Sequence, residues 1–414
     1  MTKRRSPLVI IFITIFIDLV GFGIVIPVLP LYAQTMNASP TEIGLLVSVF
    51  SAMQFIFSPL LGRLSDRVGR RPVLLLSLLG TSAGFLTMGV AGSLAWLFAG
   101  RIIDGVSGGN ISTAQAYIAD VTSPEERSRG MGLIGAAFGL GFVVGPAMGG
   151  LLSHISPGAP FLFAGTLAAA NAVALYFLLP ESLAPEHRRE ARRRGSILDV
   201  FSEAGSWQLG AVMATYFFAT LSFGLMTTIY PLFTAKRFEF DATHNGYVFA
   251  FVGLIGAVIQ GGLLGRLLRA FGDKLLAVVG TAALAISMFF LPATATVAML
   301  LLVSTGIAIG NSLATPTLNG LASKSVNAAW QGRVLGVLQS SASLARIIGP
   351  VLGGWLLQHD VKSQTAHYAR TPLWAGAIIM LVAFGLALTV HSSRDSSARE
   401  ATGVNAPNRE KVEG

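Results

Sequence analysis

Three long stretches of this sequence contain no Asp, Glu, Lys or Arg: Gly130 to Pro180, Gly205 to Ala235 and Leu275 to Ser323. A helix needs about 20 apolar residues to cross the hydrocarbon core of a bilayer, and inside that core it must satisfy its own backbone polar groups. The first and last stretches exceed one crossing, and each is broken once by turn residues, Ser156-Pro157-Gly158 and Pro292. Each therefore holds two spans. Carried along the chain, this reading predicts twelve helices, near residues 7–31, 42–62, 72–91, 94–120, 129–153, 159–179, 207–233, 243–266, 274–291, 296–322, 331–357 and 370–391. With 53% of its 414 residues hydrophobic and 12% charged, the chain cannot be a soluble globule. The fold class is all-α integral membrane.

Basic residues set the expected orientation. Of the 29 Lys and Arg, 23 flank one set of span ends: Lys3 to Arg5, Arg63 to Arg71, Arg127 and Arg129, Arg188 to Arg194, Arg266 to Lys274, Lys324 and Arg333, and those from Arg394 onward. Those ends are expected to be cytoplasmic, and with them both termini. The net charge of +9 then reads as topology and attraction to anionic lipid, with no nucleic-acid partner expected. The absence of cysteine excludes disulfides and thiolate metal sites. The first apolar run follows basic residues as a signal peptide does, but it is too long and lacks a small-residue cleavage site. It is expected to stay as a helix.

The sequence repeats itself. Gly62-Arg63-Leu64 recurs as Gly265-Arg266-Leu267 and Gly69 as Gly272, at an offset of 203. Pro27 recurs as Pro231, Arg129 as Arg333, Gly132 as Gly336, and Gly145-Pro146-x-x-Gly149-Gly150 as Gly349-Pro350-x-x-Gly353-Gly354, all at 204. Four separate places agree on one offset. The expected organisation is a six-helix bundle over 1–180, a cytoplasmic linker over 181–206 carrying the RREARRR run, a second six-helix bundle over 207–392, and a disordered cytoplasmic tail over 393–414.

In Gly62 to Pro72, GRLSDRVGRRP, Gly62 and Gly69 permit a tight turn, Pro72 opens the next helix, and Asp66 and Arg70 are spaced to pair if the turn is helical. An acid at this level can also dock on the positive start of a neighbouring helix and close a gate. A solvated loop that served only orientation would explain Arg67, Arg70 and Arg71 but not Asp66 or the glycine spacing. Gly141, Gly145 and Gly149, with Pro146 between them, form a smooth strip for close helix approach, as do Ala345, Gly349 and Gly353. Arg101 and Asp104 lie one turn apart and share a face, where a self-neutralised pair suffices to explain both. Gly105-x-Ser107-Gly108 matches an intramembrane protease string, yet all six histidines fall in loops or at span ends, so catalysis has no base. Gly139-x-Gly141-x-x-x-Gly145 lies inside a span with no preceding strand, so both strings read as packing glycines. The chain is not expected to be an enzyme.

Over its whole length the sequence resembles the major facilitator superfamily, and the loop from Gly62 to Pro72 looks like that superfamily's most specific signature. GxxxGPxxGG, from Gly141 to Gly150, resembles the motif of its antiporter branch. D-L-V-G-F-G-I-V-I-P-V-L-P, Asp18 to Pro30, and PVLLLSLLG, Pro72 to Gly80, closely resemble the tetracycline:proton antiporters. The resemblance implies two bundles that rock about a site near the midplane. It also places Arg101 where drug:proton antiporters carry an arginine tied to proton movement. Asp104 has no counterpart there.

Asp18 lies about 11 residues into its span, roughly 16 Å deep at 1.5 Å per residue. An ionised carboxylate at that depth costs about 3 kcal/mol or more, so a lone one faces a cavity or is protonated. That suits proton exchange; a structural partnership with Arg101 or Arg346 is the alternative. Elsewhere the resemblance breaks down: the third-span aspartate of the tetracycline exporters falls on Gly84, their ninth-span aspartate on Leu284 and their eighth-span histidine on Gly256, while their glutamine survives as Gln260. Gln115, Gln260, Asn311 and Arg346 are the candidates for the substrate cavity. The expected protein is a proton-coupled efflux antiporter of the cell inner membrane for small amphipathic drugs or metabolites, a monomer whose one coupling ion is the proton, with neither cofactor nor metal. A proton symporter or uniporter for a sugar or organic acid, and a non-transporting receptor of the same fold, are the alternatives.

Overall fold

The computed structural model of the chain describes residues 7–123, 126–183, 207–326, 330–360 and 367–390. The expected linker from residue 184 onward and the expected tail lie outside them. The elements are α1 (Pro7–Thr35), α2 (Pro40–Val68), α3 (Arg70–Gly89), α4 (Leu94–Val106), α5 (Asn110–Val121), α6 (Arg127–Ser153), α7 (Ala159–Leu178), α8 (Trp207–Phe238), α9 (Ala242–Val258), a π-helical turn (Ile259–Leu263), α10 (Leu264–Phe290), α11 (Val297–Lys324), α12 (Gln331–Asp360) and α13 (Arg370–Thr389). Large apolar side chains point outward, with Phe177 76% and Leu302 73% exposed. Only a lipid surround makes that favourable. This is a multi-pass membrane protein.

Ten stretches are long and apolar enough to cross a membrane, and one of them, Ala242–Ala293, runs for 52 residues. It turns back at Gly272, whose φ of 76° is left-handed. Gly69, the repeat partner of Gly272, is the other described glycine with positive φ, at 112°, and it alone separates α2 from α3. The expected count of twelve spans requires Ala242–Ala293 to be two crossings and α4 with α5 to be one.

The fourth span, expected unbroken over 94–120, is instead two half-helices parted at Ser107, Gly108 and Gly109. Each glycine costs a helix about 1 kcal/mol relative to alanine, and the Ser107 hydroxyl turns back to donate to the Ile103 carbonyl. Broken backbone at membrane depth survives only where its freed groups find partners. Here Gln54 Nε2 donates to the Gly108 carbonyl at 3.1 Å.

The halves meet along two seams related by the repeat, α2 against α12 and α6 against α9. Both are tight at the end away from the chain termini. A Cβ added to Gly44 would lie 2.3 Å from the Pro350 carbonyl oxygen, and one on Gly246 2.5 Å from that of Pro146. Ser48 donates to the Ile347 carbonyl across the first seam, and Thr243 donates to the Gly150 carbonyl across the second. Local caps fix these starts: Ser39 and Glu42 form a capping box on α2, and Asp241 caps α9. Burial alone would raise the Asp241 carboxyl, but bonds from the His244 backbone and ring hold it below the ordinary carboxylate range. Toward the termini the seams part. An added Cβ meets nothing within 4 Å at Gly62, Gly132, Gly135, Gly261, Gly262, Gly332 or Gly336. The buried core follows the same division: one cluster joins both halves at the closed end, while separate clusters serve each half at the open end.

Candidate functional site

The opening between the halves ends, at mid-span, on a small set of polar groups. Asp18 is half-buried on α1, and its recorded partner is Asn110, which donates at 2.7 Å. Asn110 is the first residue of α5, so the break in the fourth span places a positive helix start beside this carboxylate. Sequence reasoning missed Asn110. Its signal was the Ser-Gly-Gly-Asn punctuation inside an apolar run, which was read as helix packing.

Arg101 and Asp104 form a buried pair at 3.3 Å, and the Arg101 guanidinium lies 4.3 Å from the centre of the Phe50 ring. The ring face and the carboxylate together offset the desolvation of the cation. The three expected proton-coupling residues all lie in the first half, Arg101 and Asp104 bonded to each other and Asp18 to Asn110.

Gly84 explains where Asp104 belongs. A Cβ at position 84 would lie 2.9 Å from the Asp104 Cβ and 2.7 Å from the Gly100 carbonyl oxygen. The backbone of α4 and the Asp104 Cβ therefore close off the space into which a side chain at 84 on α3 would project. Positions 256 and 284 differ. An added Cβ at Gly256 faces the Ser312 hydroxyl at 3.2 Å, and Leu284 is core.

In the second half Arg346 is the mid-span cation. It donates to the Ser343 hydroxyl at 2.9 Å. No described acid pairs with it. Arg346 therefore pairs with neither Asp18 nor Asp104, and Arg101 pairs with Asp104. Of the other cavity candidates, Asn311 accepts from Thr315 on α11, while Gln260, in the π-helical turn, and Gln115, on α5, are exposed. None of these three bonds to the charged residues, among the described residues. The aromatic rings Phe22, Phe50 and Phe142 stand together at the apex, with centroids 6.1 Å and 5.9 Å from Phe22.

At the open end Arg70 binds Asp66 at 2.5 Å and Asp120 at 3.0 Å. Glu181 is an acid that docks on a helix start. It accepts from the Arg70 and Arg71 backbone N–H groups at 2.8 and 3.2 Å and caps α3 from the end of the sixth span. Arg71 reaches the Tyr176 carbonyl, and Arg67 is exposed. The repeat offset carries Arg70 to Asp273 and Asp120 to Lys324, and these two are also paired, at 2.5 Å, with the charges exchanged. Sequence reasoning missed Asp120, Glu181 and this second pair, because each contact joins different helices. The glycine strip behaves as a contact face: Gly141, Gly145 and Gly149 lie on Leu19, Gly23 and Ile24 of α1, and Gly150 lies on α9.

Comparison with known proteins bears on this arrangement. The family model described as Major Facilitator Superfamily matches residues 11–350 and 263–412. The chain is 37% identical over 360 residues to a class C tetracycline resistance protein of Escherichia coli, covering 84% of this chain and 89% of that one. It is 30% identical to multidrug resistance protein 2 of Bacillus subtilis (strain 168), over 96% of this chain and 98% of that one. Among solved structures, the human organic anion transporter MFSD10 (TETRAN) superposes with a TM-score of 0.70 at 25% identity, covering 94% of this chain and all of that one. A bacterial homologue of the human lysosomal transporter Spinster superposes at 0.79 and 15%, which speaks for the fold alone. The chain belongs to the major facilitator superfamily, in the branch that holds the tetracycline and multidrug resistance proteins.

Proposed function

We propose that this protein is a proton-coupled efflux antiporter of the cell inner membrane, with both termini cytoplasmic, acting on small amphipathic drugs or metabolites. The observation that carries the reading is Asp18, a carboxylate at the apex of the opening that is held by an amide and not by a cation. Arg101 pairs with Asp104 and makes no bond to Asp18, so it does not fix Asp18 in its ionised form. A group of that kind is free to exchange a proton between the two accessible states.

The tetracycline and multidrug resistance relatives support efflux, and the two seams, closed at one end and open at the other, support alternating access. On this reading the coupling ion is the proton, no cofactor or metal takes part, the protein works as a monomer in the bilayer, and its activity is transport, not catalysis. Residues 1–180 and 207–392 are the two rocking bundles. The acid set differs from that of the tetracycline exporters at positions 84, 256 and 284, so tetracycline itself is a test compound and not an assumed substrate.

Everted membrane vesicles carrying a respiration-driven pH gradient provide the test. Adding a substrate is expected to release lumenal protons, read as recovery of a quenched gradient-sensing dye, and a compound panel will rank substrates by that recovery. Compounds that accumulate in the vesicles without moving the dye signal would rule out proton antiport.

A further inference from the structure

Position 346 is a place where the two halves differ in charge. Arg346 and Phe142 are equivalent under the 204-residue offset, and both stand at the apex of the opening, just inside a seam. The carbonyl of Ile347 takes the Ser48 bond of one seam, and the carbonyl of Phe142 lies against Gly253 in the other. The first half builds this position from phenylalanine, so helix packing does not call for a cation there.

Arg346 is also expensive where it stands. A guanidinium near mid-membrane costs about 3 kcal/mol or more unless paired, and a neutral Ser343 hydroxyl takes only one of its five N–H donors. Ser343, Gln339 and Gly336 continue from it toward the open end on the same side of α12, and Gln339 is exposed. The free donors are therefore reached from the opening. The first half carries rings at this level, Phe22 with its centroid 5.9 Å from that of Phe142, and Phe138 stacked on Phe142 at 6.3 Å and 37% exposed.

We infer that Arg346 is the anion-binding residue of the cavity and that the substrates are amphipathic aromatic carboxylates, whose carboxylate takes the guanidinium fork and whose ring rests on the Phe22, Phe138 and Phe142 wall. The planar fork matches a carboxylate with two parallel hydrogen bonds. The depth of the site excludes a lipid phosphate as its occupant. A ligand held at one end by each half also favours the arrangement in which both ends are engaged, which is how it would shift the equilibrium between states. The inference rests on the transport reading, but not on its proton coupling.

The test is equilibrium binding to the purified full-length protein in nanodiscs. The probe is radiolabelled 1-naphthaleneacetate, with 1-naphthaleneacetamide and (1-naphthylmethyl)trimethylammonium as neutral and cationic competitors. The acid is expected to bind saturably, at least about tenfold more tightly than either competitor. Arg346→Phe, which installs the first half's own residue, is expected to lose at least about tenfold in affinity for the acid and to bind the ammonium compound as the wild type does. Arg346→Lys should recover part of the loss, since it keeps the charge without the fork. Absence of saturable binding, a ranking that places the cation level with or above the acid, or an Arg346→Phe variant that binds the acid normally would each overturn the proposal. The wild-type ranking decides even if a variant fails to fold. Because binding needs no gradient, a failure of proton release in vesicles would sink antiport and leave this result standing.

Discussion

At the scale of single residues, Gly84 and Asp104 contend for one place. The α4 backbone and the Asp104 Cβ crowd that place, and only glycine at 84 lets α4 come so close. The first half keeps two acids within its spans, Asp104 paired with Arg101 and Asp18 bonded to the Asn110 amide. Asp18→Asn retains size and polarity while removing the titratable proton. The variant is expected to bind substrate and to equilibrate it across the membrane, with gradient-driven accumulation falling to background. A gradient does work only through a group whose protonation is linked to substrate affinity, and without that difference the coupling free energy vanishes. Accumulation at the wild-type rate in everted vesicles, at normal expression, would transfer the role to Asp104. Such contacts were legible in the sequence only when both partners lay on one helix. Arg101 with Asp104 and Asp66 with Arg70 follow from one turn of spacing, whereas Asn110 reaches Asp18 across 92 residues and Glu181 reaches Arg70 across 111. Spacing carries no information about such pairs.

At the scale of elements, the apolar runs gave the spans and the repeat gave their pairing, because both are periodic properties of the chain. What they did not give was the interruption of the fourth span, where an apolar average hides three weak helix formers, or the π-helical turn at Ile259–Leu263. The turns at Gly69 and Gly272 show what the repeat preserves and what it does not. Backbone sign is kept at both, while the ion pairs beside them exchange charge, Arg70 with Asp120 and Lys324 with Asp273. Their surroundings also differ. The Arg70 and Asp120 side chains are 8% and 23% exposed, whereas Lys324 is 60% exposed. Exposed pairs contribute about 0–1 kcal/mol, and removing one partner of a buried pair costs more. Double-mutant cycles on melting temperature, using Asp120→Asn with Arg70→Gln and Asp273→Asn with Lys324→Gln, are expected to give the larger coupling for the first pair. Equal couplings would mean that burial at this end does not set the strength of the gate contact.

At the scale of the whole molecule, the two seams make opposite predictions for the two ends. A side chain at Gly44 or Gly246 would meet a backbone carbonyl at 2.3 or 2.5 Å, and a carbonyl inside a helix cannot swing aside as a flexible side chain does. The helices must part, so Gly44→Val and Gly246→Val should each hold the closed end open. Gly62 and Gly336 meet nothing in this arrangement, so Gly62→Val and Gly336→Val leave it intact. They would clash only once the open end closes. All four variants are expected to insert normally and to lose transport, but they should do so in opposite states. The chain has no cysteine, so a single Ser48→Cys on the α2 seam reports on the closed end without background. Labelling of that cysteine by a membrane-impermeant maleimide, applied from the side away from the termini, is expected to rise in the Gly44→Val and Gly246→Val backgrounds. It should stay at or below the wild-type rate with Gly62→Val or Gly336→Val. If all four variants label alike, the seams do not alternate and the two halves do not rock as rigid bodies; if Gly44→Val labels as the wild type and still transports, the Pro350 contact is not part of the closing surface. The two outcomes separate a failure of the mechanism from a misplaced seam.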